Sequence, residues 1–124
     1  MLGLCLARGA ASVAIAAGEF TLAWTHSIEK TRWEEHWRVS AAGLVVDEAV
    51  IRGSGAGMEP PDGAVLRGGA WHYRPRLPAQ ASVTLAASSF TADHRLCAGG
   101  VCKPLARWVP GPGPVRLAPC EVSP

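Results

Sequence analysis

The chain has 124 residues, 48% of them hydrophobic and 18% charged, with a net charge of +2. That length suits one domain with one modest core, and so small a charge, with no run of lysine or arginine, argues against a nucleic-acid partner. Fourteen glycines and ten prolines among short alternating segments favour strands and tight turns over helices.

Residues 1–18, MLGLCLARGAASVAIAAG, have the small apolar look of a secretory leader. No charge precedes the apolar run, however, and Arg8 interrupts it. The run is also far too short to span a bilayer. Two arms, Leu2 to Ala7 and Ala11 to Ala16, around a turn at Arg8-Gly9 fit better. On that reading the chain carries neither an export signal nor a transmembrane segment.

Phe20 to Val39, FTLAWTHSIEKTRWEEHWRV, is the most informative stretch. Side chains in a strand alternate between two faces. Phe20, Leu22, Trp24, His26 and Ile28 therefore share one face, and Trp33, Glu35, Trp37 and Val39 share one face of a second arm. A loop at Glu29-Lys30-Thr31-Arg32 predicts a hairpin that pairs Ile28 with Trp33, His26 with Glu35, Trp24 with Trp37 and Leu22 with Val39. His26 and Glu35, the two polar exceptions, then fall opposite each other, with Cβ atoms roughly 5 Å apart. They form either a structural pair that satisfies itself between tryptophans or a site in which Glu35 orients His26. Ser27 points to the other face, which disfavours a Ser–His nucleophile pair. Five tryptophans are many for this length, and core filling explains them better than a stacking platform.

Leu44 to Ile51 reads as a mostly apolar strand with Asp47 and Glu48 inside it. The following run, Arg52 to Gly63, sets glycines at every second position before Pro60 and Pro61, which excludes helix and regular strand. Its Gly55, Gly57, Met58 and Glu59 make a candidate binding loop, since successive backbone N–H groups can face an anion or a partner. It lacks the lysine and spacing of a Walker loop, and prolines stand where a dinucleotide-binding helix would start. No cofactor motif is present. Ala64 to Arg67 and Ala70 to Tyr73 flank Gly68-Gly69 as a hairpin. Ser82 to Ala87 and Val115 to Cys120 are further strands, and Val109 to Pro114 is a stiff connector.

Cysteines stand at 5, 97, 102 and 120. A two-residue turn at Gly99-Gly100 makes Cys97 and Cys102 a non-hydrogen-bonded cross-strand pair, close enough for a disulfide. No second pair at zinc spacing accompanies them. Cys5 and Cys120 are left to bridge the ends of the chain. Paired cysteines lean towards an oxidising, periplasmic compartment, against the poor leader. The sum is an all-β fold: nine or ten short, mostly antiparallel strands over residues 1–124, in a β-sandwich or partly closed barrel.

The stretch TLAWTHSIEKTRWEEHWRV, then RGSGAGMEPP, then LCAGGVCKPL, resembles the bacterial family catalogued as domain of unknown function 1850. The resemblance spans nearly the whole chain, and His26 to Thr31, Glu35 and Gly53 to Met58 carry it most specifically. It implies an accessory role beside a permease of a tripartite solute transporter, and it assigns no catalytic residues. A non-enzymatic binding protein is thus the leading expectation, with Glu29 beside His26, Glu35 and the glycine loop as its candidate contacts. A metal-binding module is the alternative, drawing on His26, His36, His72 and His94 with Glu35, Met58 and Glu59. A hydrolase using His26 and Glu35 ranks last, because no nucleophile accompanies them.

Overall fold

The computed structural model describes residues 1–25, 31–52, 62–86 and 93–123. The strands are β1 (Leu2–Arg8), β2 (Ala11–Ile15), β3 (Glu19–Thr25), β4 (Arg32–Ser40), β5 (Gly43–Arg52), β6 (Val65–Arg67), β7 (Ala70–Tyr73), β8 (Val83–Leu85), β9 (Arg95–Ala98), β10 (Val101–Pro104) and β11 (Val115–Glu121). They form two antiparallel sheets, ordered β2-β1-β11-β8 and β10-β9-β3-β4-β5-β7-β6. This is the expected all-β sandwich, with eleven strands and no closed barrel among the described residues. One helical turn, α1 (Leu105–Trp108), interrupts it. Asp93 Oδ2 accepts from the Ala106 N–H at 2.8 Å, a local device too short to show as periodicity.

The core lies between the sheets. Leu4, Leu6, Val115 and Leu117 of the smaller sheet pack with Phe20, Leu22, Trp37, Leu44, Val46 and Leu96 of the larger. Each such side chain contributes roughly 1.5–3 kcal/mol relative to remaining in water. Arg8 is a correction to the expected turn. It ends β1, is 8% exposed, and donates to the carbonyls of Gly113 at 2.9 Å and Val109 at 3.3 Å. Its guanidinium thereby satisfies a Pro/Gly connector that makes few bonds of its own.

The expected register of the β3–β4 hairpin is also corrected. Leu22 lies opposite Glu35, Trp24 opposite Trp33 and Phe20 opposite Trp37. The partner of Leu22 has moved by four residues, from Val39 to Glu35. An even slip keeps every side chain on its own face, so alternation cannot choose between the two registers. Ring stacking can. The observed register stacks Phe20 on Trp37, with centroids 5.9 Å apart, and Trp24 on Trp33, 6.1 Å apart.

Between β4 and β5 the register shifts at His36/Trp37, which leaves Asp47 as an extra residue. Such a bulge changes which side chains face inward. Leu44 and Val46 before it, and Ala49 and Ile51 after it, all face the same way as Trp33, Glu35 and Trp37. At the start of this strand, a Cβ at Gly43 would collide with the Gln80 carbonyl oxygen, at a φ of +134°. The close approach lets Leu44 and Gln80 exchange backbone bonds of 2.7 and 2.8 Å.

Both cysteine pairs are bonded. Gly99 and Gly100 have φ of +59° and +80°, the primed turn that sets Cys97 against Cys102, with Cα atoms 4.0 Å apart. Cys5 and Cys120 join β1 to β11, with Cα atoms 5.8 Å apart. The sequence separations are 5 and 115 residues. Chain entropy in the unfolded state makes the short bridge worth about 2 kcal/mol and the long one about 5 kcal/mol. Urea unfolding of the two double serine variants should reproduce that order. Cys5→Ser with Cys120→Ser should lose most of the stability, while Cys97→Ser with Cys102→Ser stays folded.

Candidate functional site

The larger sheet arranges its inward side chains in rows. The innermost row, Ala98, Phe20, Trp37 and Val46, is buried. The next runs Leu96, Leu22, Glu35, Ala49 and Tyr73. The last runs Trp24, Trp33, Ile51, Trp71 and Leu66. His94, just before β9, extends it, with its ring centroid 5.2 Å from that of Trp24. Leu22, Leu96, Ala49 and Ile51 in these two rows are buried, whereas Trp24, Trp33, Trp71 and Tyr73 are half-buried and Leu66 is 57% exposed. Six of the seven aromatic residues among the described residues therefore share this face, and only Trp37 and Phe20 among them are fully buried. Core filling, as expected, accounts for Trp37 and for Trp24, which packs against the core, while the partly exposed Trp33, Trp71 and Tyr73 leave an aromatic surface.

Glu35 is the carboxylate within this surface. It lies between Leu22 and Ala49 across the sheet and between Trp33 and Trp37 along β4. The Trp37 indole Nε1–H donates to Glu35 Oε1 at 3.2 Å. Burial pushes the Glu35 carboxyl above its ordinary value, and the indole hydrogen bond opposes that only in part. Burial, and then the charge of Glu35, raises the Tyr73 phenol. Burial lowers the His94 imidazole, with Asp93 acting the other way. Close by, Thr31 Oγ1 and Trp33 Nε1 are buried without a hydrogen-bond partner among the described residues. An unpaired buried polar group costs roughly 1–3 kcal/mol.

Of the residues singled out from the sequence, Glu35 is placed, and it faces Leu22 where His26 was expected. His26, Glu29, Gly55, Gly57, Met58 and Glu59 lie outside the described residues. His36 is on the opposite face of β4 from Glu35, as alternation requires, and His72 shares that outer face with it. Among the described residues no group of three or more His, Cys, Asp or Glu could hold a metal ion.

The outer face carries a cluster that sequence reasoning missed. His72 Nδ1 and Glu48 Oε1 are 2.6 Å apart, and Arg67 approaches the same carboxylate at 3.9 Å. Glu34 is held by Arg32 at 3.2 Å, Arg52 at 3.4 Å and His36 at 3.9 Å. All of these side chains but Arg32 rim a groove of about 570 Å³ over buried Val50. The His72 hydrogen bond, ahead of other charges, lowers the Glu48 carboxyl. The visible signal was Glu48 within an apolar run. The bulge turns it outward, and topology brings His72 to it from 24 positions away.

The two faces thus hold carboxylates in opposite condition. On the outer face charges meet partners in solvent, where such pairs are worth about 0–1 kcal/mol. On the inner face Glu35 meets one neutral donor. A carboxyl raised by folding stabilises the fold below its unfolded pKa, and that contribution is lost as pH rises through the folded value. Glu35→Gln keeps an acceptor for the Trp37 indole and has no charge to bury. Thermal unfolding should show Glu35→Gln melting above the unsubstituted protein near neutral pH, with the gain vanishing below about pH 4. An equal or lower melting temperature at neutral pH would mean that the carboxylate is not burdened by burial.

Comparison with known proteins adds the family. The model of the family described as domain of unknown function (DUF1850) matches residues 20–105, from Phe20 of β3 to Leu105 of α1. No curated protein and no solved structure matches the chain. The matched span contains the hairpin register, the Asp47 bulge, Glu35, the Glu48–His72 pair and the Cys97–Cys102 bridge. By that match the chain belongs to the DUF1850 family.

Proposed function

We propose that this domain is a non-enzymatic binding module that acts outside the cytoplasm as an accessory to a membrane permease of the tripartite solute-transporter class. Glu35 carries the reading. A glutamine would accept the same indole hydrogen bond without the cost of desolvating a charge, so a carboxylate on this half-buried face is best explained by what it meets in a complex. Its complement is a cation or hydrogen-bond donor. The half-buried rings of Trp24, Trp33 and Trp71 offer the flat, amphipathic contact area that anchors interfaces. Two disulfides suit an oxidising compartment. The permease as partner rests on the family resemblance. Among the described residues no helix is long and apolar enough to cross a membrane.

The test is capture from native membranes with the tagged protein and its Glu35→Gln variant, read by mass spectrometry. Recovery of a tripartite-transporter permease by the unsubstituted protein, lost with Glu35→Gln although that variant folds, is the expected result. Equal capture by both would remove Glu35 from the interface. Capture of no permease by either would end the accessory reading.

A further inference from the structure

The Cys97–Cys102 bridge differs from the Cys5–Cys120 bridge in its place in the sheet and in the exposure of one of its sulfur-bearing residues. It links β9 to β10, and β10 is an edge strand of the larger sheet. Cys102 is exposed, whereas Cys5, Cys120 and Cys97 are half-buried. The bridge opens onto a groove of about 350 Å³ whose other walls include Thr21, His36 and Glu19. Cys97 is the cross-strand neighbour of Thr21, and Thr21 of His36, with the hydroxyl 3.5 Å from His36 Nδ1. Arg95, on the same face of β9, donates from Nη2 to the Cys102 carbonyl at 3.3 Å. That contact brings a guanidinium to the backbone of the bridge, and Glu19 and the Arg38-paired Asp47 are the acidic groups on the groove. The hairpin also does not need the bridge. Its turn is fixed by Gly99-Gly100, and β9 is paired to β3 over Arg95 to Ala98.

From these observations we infer that Cys97–Cys102 is a thiol–disulfide exchange site for an external dithiol, separate from the aromatic face. A partner thiolate attacks the exposed Cys102 Sγ and forms a partner–Cys102 bond. The Cys97–Cys102 bond breaks, its electron pair stays on Cys97 Sγ, and that thiolate takes a proton from solvent in the groove. The partner's second thiolate then attacks its own sulfur in the mixed bond and releases Cys102. The partner dithiol leaves as a disulfide and this chain as a dithiol, so two electrons and two protons have passed to it.

The test uses the whole oxidised protein, with dithiothreitol as the dithiol and maleimide labelling read by peptide mass spectrometry. Circular dichroism follows the fold in the same samples. Labelling confined to Cys97 and Cys102, with the spectrum unchanged and Cys5–Cys120 intact, is expected. Reduction of both bridges together, or of Cys97–Cys102 only as the fold is lost, would overturn the site. Direction of attack is tested with oxidised glutathione on the two single variants. Cys97→Ser, which keeps Cys102, should form the mixed disulfide faster than Cys102→Ser. The reverse order would overturn Cys102 as the attacked sulfur.

Discussion

A single extra residue in β5 makes the larger sheet two-sided. Without the bulge at Asp47, a strand with Leu44 and Val46 facing the core would turn Ala49 and Ile51 outward and Glu48 and Val50 inward. With it, both apolar pairs face inward. Glu48 comes out beside His36 and His72, and Asp47 binds Arg38 at 3.3 Å. β4 lies between β3 and β5, so this irregularity decides that Ala49 stands beside Glu35 on β5, while the stacked hairpin register sets Leu22 beside it on β3.

The consequence is a division of labour between faces. Outward, charges find partners across strands in solvent, and the network is weak and adaptable. Inward, the stacked pairs Phe20–Trp37 and Trp24–Trp33 hold β3 and β4 together, and Glu35 sits between the two tryptophans of β4. That carboxylate weakens the fold at neutral pH. A residue that works against its own fold is most often found where something else must be recognised. The two disulfides divide in a similar way: one ties the chain ends together across 115 residues, and the other sits on an edge that is fixed without it.

Much of this was legible in the residues. Alternation assigned Phe20 to Trp24 and Trp33 to Val39 to their correct faces, and Gly99-Gly100 pointed to the Cys97–Cys102 pair through turn geometry. The register of the hairpin was not legible. A four-residue slip is neutral in pattern, and the choice rests on which rings stack. The bulge left no mark beyond an Asp-Glu pair inside LVVDEAVI, since local composition does not say which strand carries an extra residue. The Glu48–His72 pair is a product of topology: β7 returns to β5 from outside any local window. Arg8 looked like a turn residue because nothing near it in sequence satisfies it. Its partners are more than a hundred positions away.

The most direct measurement is the titration of individual glutamate side chains by carbon NMR. Glu35 should titrate above the ordinary glutamate value of 4.5 and Glu48 below it, with burial responsible for the first and the His72 hydrogen bond for the second. Glu35 titrating at or below 4.5 would contradict its position among the inward tryptophans. The binding face built around it would then fall with it.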